Sequence, residues 1–117
     1  MFSRLPIYQR KGAAAYRPGL ESMEKLDRYL GEPHKTFKSI HIAGTNGKGS
    51  TAHMMASVIQ TAGHKTGLYT SPHLLDFRER IKVNGFKISK AQVVEFINTH
   101  KDYLEKEKLS FFEMTVG

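Results

Sequence analysis

The apolar positions of this chain follow a few distinct spacings. Leu20, Met23, Leu26 and Leu30 recur at three- and four-residue intervals, which is the period of one helix face, and Gly31 and Pro33 close the run. Residues 37–43 are short and apolar enough for a buried strand. Over residues 51–62, Met54, Met55, Val58, Ile59 and Ala62 return to helical spacing, with Gly63 as a stop, and residues 65–70 form a second short strand. Residues 81–88 alternate apolar and polar around Asn84-Gly85, a strong hairpin signal. Ser89 and Gln92 make a capping box ahead of a helix whose apolar face is Val93, Val94, Phe96, Ile97 and Leu104. Residues 109–117, aromatic and apolar around Glu113, begin another helix. Residues 1–19 show little periodicity and contain Pro6, Gly12, Pro18 and Gly19, so they read as an N-terminal arm.

Strand, loop, helix and strand in that order have the length of a βαβ crossover. The loop, Gly44-Thr45-Asn46-Gly47-Lys48-Gly49-Ser50, carries the chemistry. Its glycines let the backbone approach an anion, amide groups at the helix start point at it, and Lys48 adds a full positive charge. The strict pattern G-x-x-x-x-G-K-[ST] would place glycine at 42 and a hydroxyl at 49. Ile42 and Gly49 stand there instead, with the hydroxyls of Ser50 and Thr51 further along. The ordinary alternative is a flexible strand-to-helix turn with an exposed lysine, but strand and helix patterns flank the loop on both sides.

The 117 residues suit one domain or part of one. The net charge of +7 calls for an anionic partner. Lysine and arginine are scattered, however, and residues 101–108 interleave them with glutamate as on a solvated helix face. Small acidic ligands therefore explain the balance better than nucleic acid. No apolar run approaches membrane-spanning length and the N-terminus lacks a signal-peptide core, so the expected location is the cytoplasm, with no membrane partner. With no cysteine, disulfides and thiolate metal sites are excluded within the chain.

The loop at 44–50, the strand Gly67-Leu68-Tyr69-Thr70, the segment Ser71-Pro72-His73-Leu74 and Arg78-Glu79-Arg80-Ile81 occur in this order. In that combination the chain resembles the folylpolyglutamate synthase/dihydrofolate synthase family of Mur-type ligases, from about Tyr16 to the last residue. The resemblance implies an α/β fold with a P-loop NTPase-like parallel sheet, the N-terminal part of a Mur ligase central domain, here incomplete and accompanied by a small β-hairpin. It implies ATP and Mg2+ as cofactors, small-molecule substrates, and a monomer at full length. The reaction implied joins L-glutamate to dihydropteroate or to a folylpolyglutamate through an acyl phosphate. Such phosphoryl transfer depends on positioning and charge neutralisation.

Carried over by position, Thr45, Asn46, Gly47, Lys48, Gly49 and Ser50 form the triphosphate cradle, with Lys48 in the catalytic role, and Ser71 is the magnesium-binding serine. Read without the family, Ser71 is a turn or cap residue. Arg17, Pro18, Gly19, Leu20, Ser110, Phe111, Phe112 and Glu113 match regions that hold the pterin, although Phe111 and Phe112 equally suit a core. His73 reads as loop-structural or substrate-adjacent. Arg78 and Arg80 either grip a carboxylate or pair with Glu79 and Asp76. Because the family continues well beyond this length, the expectation is an arm over 1–19 and a truncated ATP-binding domain over 20–117, lacking the C-terminal domain and inactive alone. The competing readings are another Mur-type ligase, adding amino acids to a cell-wall precursor, and a non-catalytic nucleotide-binding module.

Overall fold

A computed structural model of the chain describes residues 19–117, so Arg17, Pro18 and most of the expected arm lie outside the described residues. The chain divides into two compact units, one made of residues up to Ser39 with His100–Gly117 and the other of Ile40–Thr99. The second carries the glycine-rich loop.

In the first unit, α1 spans Glu21–Tyr29, with Glu21 and Glu24 in its first turn and Arg28 in its last, the charge order that suits a helix dipole. Of the predicted stripe, Leu26 is fully buried and Leu20, at the N-cap, is 69% exposed. Two later helices are α3, Lys90–Glu107, of which the part from His100 onward belongs to this unit, and α4, Phe111–Val116. Tyr29 stacks on Tyr103 with ring centroids 3.8 Å apart, and His100 meets Tyr29 edge-on. Burial first, then the nearby Glu107, raises the Tyr103 hydroxyl above its ordinary pKa. Among the described residues of this unit, Leu104, Leu109 and Thr115 are also buried.

In the second unit, α2 is Lys48–Thr61. It begins three residues before the apolar periodicity does, because Gly47 (φ 76°) turns the chain and Thr51 N donates to Gly47 O at 2.9 Å. Gly63 (φ 85°) follows its end as expected. Strand β1, Gly67–Tyr69, pairs antiparallel with β2, Ile81–Val83, placing Leu68 opposite Lys82. Strand β2 turns into β3, Phe86–Lys87, through Asn84 (φ 48°) and Gly85 (φ 81°), so Val83 faces Phe86 across a two-residue turn. Asn84 also locks this hairpin to the start of β1, its Oδ1 accepting from Thr66 N at 2.8 Å while its N donates to Thr66 O at 2.9 Å. The capping box at Ser89 and Gln92 forms, with Gln92 N donating to Ser89 Oγ at 3.1 Å and Ser89 N to Gln92 Oε1 at 2.8 Å.

The mixed helix–strand class and the hairpin agree with the sequence, whereas parallel pairing is not seen directly among the described residues. No strand forms over residues 37–43, and the sheet among the described residues is three-stranded and antiparallel in the order β1-β2-β3. Parallel pairing is stable when both faces are covered. Here Phe37 and Ile40 are 61% and 62% exposed, and the helical positions Met54 and Val58 are 63% and 65% exposed.

Candidate functional site

The glycine-rich loop and the segment after β1 face each other across an open cleft of ≈ 650 Å³. Thr45, Asn46, Gly47, Lys48, Gly49 and Ser50 line one wall, Thr70, Ser71, Pro72 and Leu74 the other, and His53 also faces in. The structure thus brings together the residues expected to hold phosphate and the serine expected to meet magnesium.

Lys48 is folded back on its own loop. Its Nζ donates to Gly44 O at 2.5 Å and to Thr45 O at 3.0 Å, so the ammonium holds the loop's turn closed against two neutral carbonyls. An arriving phosphate oxygen offers a stronger, charged acceptor. The first amides of α2 have no partner within the helix and add to the attraction for an anion.

The opposite wall is tied by a polar network. The Glu79 carboxylate accepts from the backbone N of Leu74 (3.0 Å), Leu75 (3.3 Å) and Asp76 (2.8 Å). These bonds, the one from Leu74 foremost, lower its pKa. Asp76 accepts from Arg78 through Nη2 at 2.5 Å and Nε at 3.1 Å, and this guanidinium holds its carboxyl well below the usual carboxylate range. Arg78 is therefore a partner of Asp76, one of the two roles open to it in the sequence. Arg80, which is buried, takes a different path. Its Nε donates to His73 Nδ1 at 2.8 Å and its Nη1 to Ser71 Oγ at 3.1 Å, so His73 is tied into the loop and Ser71 is oriented by Arg80.

Ser71 Oγ accepts one bond from Arg80 and keeps a second lone pair. Magnesium takes one or two protein oxygens together with substrate phosphates. The lining contains hydroxyls but no carboxylate, and no group of three or more acidic or histidine side chains among the described residues could hold a metal. The residues fit a cation shared with bound phosphates, and not one held by the protein alone.

His53 is the lining residue that sequence reasoning missed. It lies four positions after Gly49, one helical turn along the same face, and that spacing was the available signal. Its Nδ1 donates to Gly49 O at 2.8 Å, and Lys82 Nζ approaches its Nε2 at 3.2 Å.

The described residues matched to pterin binding, from Gly19 onward, belong to the other unit. Leu20 is exposed at the start of α1, and Phe112 is 44% exposed. Ser110 and Glu113 form the capping box of α4, with Ser110 N donating to Glu113 Oε2 at 2.7 Å and Glu113 N to Ser110 Oγ at 3.2 Å. Glu113 also accepts a short bond from Ser22 Oγ.

A glycine-rich loop opening a helix and faced by a Ser-Pro segment, on this mixed fold, has the make-up of a nucleotide-phosphate cleft. Comparison narrows the class. The chain is 44% identical over 89 residues to a dihydrofolate synthase/folylpolyglutamate synthase of Bacillus subtilis, an alignment covering 76% of this chain and 21% of that protein. The folylpolyglutamate synthase of Thermotoga maritima superposes with a TM-score of 0.82 at 39% identity, covering 98% of this chain and 29% of the other. That of Mycobacterium tuberculosis, solved in complex with ADP, superposes with a TM-score of 0.80 at 32% identity, covering 97% and 28%. No protein-family model matches the chain. By sequence and by fold it belongs to the folylpolyglutamate synthase/dihydrofolate synthase family. It spans 12% and 21% of the length of the first two curated relatives it matches.

Proposed function

We propose that the protein is an ATP-dependent acid–amino-acid ligase that joins L-glutamate to dihydropteroate, to a folylpolyglutamate, or to both. The observation that carries this reading is the cleft in which the loop residues Thr45 to Ser50 and Ser71 meet. In the proposed reaction the substrate carboxylate attacks the γ-phosphorus of ATP, ADP leaves, and the resulting acyl phosphate is attacked by the amine of L-glutamate with loss of phosphate. Lys48 leaves the carbonyls of Gly44 and Thr45 and neutralises β- and γ-phosphate oxygens, while Thr45, Asn46, Gly47, Gly49 and Ser50 cradle the triphosphate. Ser71, oriented by Arg80, is assigned to the magnesium ion, which when bound offsets phosphate charge.

For the pterin, Leu20 and Phe112 offer exposed apolar surface, with Arg17, Pro18, Gly19, Ser110 and Phe111 beside them in sequence. Glu113 reaches a ligand on this reading by releasing Ser22. The reading places the activity in the cytoplasm and in a monomer. The cleft lacks a carboxylate, which supports the further proposal that these 117 residues alone do not complete the ligation.

Titration with Mg-ATP tests the loop: Lys48→Ala should weaken binding on the order of 100-fold, the size of a lost charged hydrogen bond of about 3 kcal/mol. Incubating the complete protein with ATP, glutamate and either dihydropteroate, tetrahydrofolate or a muramyl-peptide precursor tests the substrate. Turnover of the last alone would reassign the enzyme to cell-wall synthesis. ATP binding without turnover of any would leave a nucleotide-binding module, and turnover by the 117 residues alone would overturn the proposed dependence on further sequence.

A further inference from the structure

We infer that Lys82, steered by His53, is a second cationic arm of the cleft that binds the polyphosphate of a nucleoside triphosphate alongside Lys48. This rests on the nucleotide reading of the loop. His53 lies on the cleft wall one turn beyond Gly49, and its Nδ1 donates to the Gly49 carbonyl at 2.8 Å. That bond fixes hydrogen on Nδ1 and leaves a lone pair on Nε2. An ammonium group can only donate, so Lys82 Nζ, 3.2 Å away, donates a hydrogen bond to that lone pair. The imidazole therefore bridges the first turn of α2 to the middle of β2 and holds a lysine of the sheet against a residue of the phosphate wall.

The partners of the lysines support the assignment. Lys25, Lys35 and Lys87 are matched to carboxylates, those of Glu107, Glu32 and Asp76. Lys48 and Lys82 are held instead by neutral acceptors, two carbonyls and an imidazole. A cation matched to a carboxylate has most of its field cancelled, whereas one on a neutral acceptor keeps it available to an incoming anion and gains a charge-assisted bond on meeting one. Lys48 lines the cleft, Lys82 meets its wall through His53, and the lining carries no acidic side chain. The ligand this suits is multiply charged, and the Lys82 contribution should grow with the number of phosphates.

Calorimetric titration with Mg-ATP and with AMP would be compared for the parent, Lys48→Ala, Lys82→Ala, Lys82→Arg, His53→Ala and His53→Gln. Lys82→Ala should weaken ATP binding about fivefold and leave AMP within about twofold, the scale of one exposed charge contact. Lys82→Arg should keep parent affinity. His53→Ala should lose about threefold for ATP, and His53→Gln should recover part of that because its amide oxygen can accept from Lys82. Parent-like ATP affinity in Lys82→Ala, with Lys48→Ala impaired, would overturn the inference and leave the loop reading intact. Equal weakening of ATP and AMP would also overturn it, since that marks a structural role. ATP affinity unchanged in Lys48→Ala would instead overturn the loop reading beneath it.

Discussion

The two compact units are held together by different forces. The first buries leucines, Leu26, Leu104 and Leu109, and stacks Tyr29 on Tyr103. In the second, the residues that become buried are Ala56, Thr66 and Arg80, one small apolar side chain and two polar ones. Its order comes from the Asn84 turn, the Glu79 carboxylate and the Arg80 fork, while Met54 and Val58 face outward. Apolar burial is non-directional and tolerates small displacements, whereas hydrogen bonds fix the angle of each partner. A cleft that must place a lysine, a serine and a set of amides around phosphates gains from the second kind of order.

The largest effect should therefore come from the first unit. Leu26→Ala removes its fully buried side chain and should cost about 3 kcal/mol, in the range of Leu→Ala changes that leave a cavity. Denaturant unfolding measures it directly, and a loss below 1 kcal/mol would show that leucine packing does not distinguish this unit.

The next effect tests the polar order of the second unit. Arg80→Lys keeps the charge but loses the planar fork that reaches His73 and Ser71 together. A stability loss of about 1–2 kcal/mol is expected, one or two net hydrogen bonds. Amide exchange should quicken at Ser71, His73 and Leu74, since this wall would lose its tie. Unchanged exchange there would mean that Glu79 alone orders the segment.

These two kinds of order were unequally legible in the sequence. The capping box at Ser89–Gln92 lies within four residues, and the Asn84-Gly85 turn is set by two positive φ angles that suit those residue types. Such features are local, so a pattern reads them. The glycine loop was readable for the same reason, and the structure adds that Ser71 faces it. The bridge from His53 to Lys82 spans 29 positions and that from Arg80 to Ser71 spans nine, and neither follows a period. The strand expected over residues 37–43 was misjudged because apolar composition there reports an ability to be buried, and burial needs a covering layer that the described residues do not supply.

Acid should loosen the second unit through a narrow set of groups. Asp76 and Glu79 both have lowered pKa values in the fold, from ordinary values of 3.8 and 4.5. A carboxyl lowered by folding gives its full contribution above its unfolded pKa and loses it as pH falls through the folded one. Stability should thus be flat above about pH 5 and decline below it. Asp76→Asn and Glu79→Gln together should flatten that decline, as measured by melting temperature against pH. A slope unchanged by both substitutions would place the acid sensitivity outside this wall.

The smallest effect is the most discriminating. Met54, Met55 and Val58 have the spacing of a core-facing stripe, yet they are 63%, 40% and 65% exposed. On this open face, Met54→Gln and Val58→Gln each remove little buried area and put a better or comparable helix former in place. Each should then shift stability by no more than about 0.5 kcal/mol, the usual range for surface changes. A loss above about 2 kcal/mol from either would belong to a packed position and not to an exposed one. The second unit would then have an apolar layer of its own in solution, and the contrast between the two units would narrow to the hydrogen-bonded wall around Arg80 and Glu79.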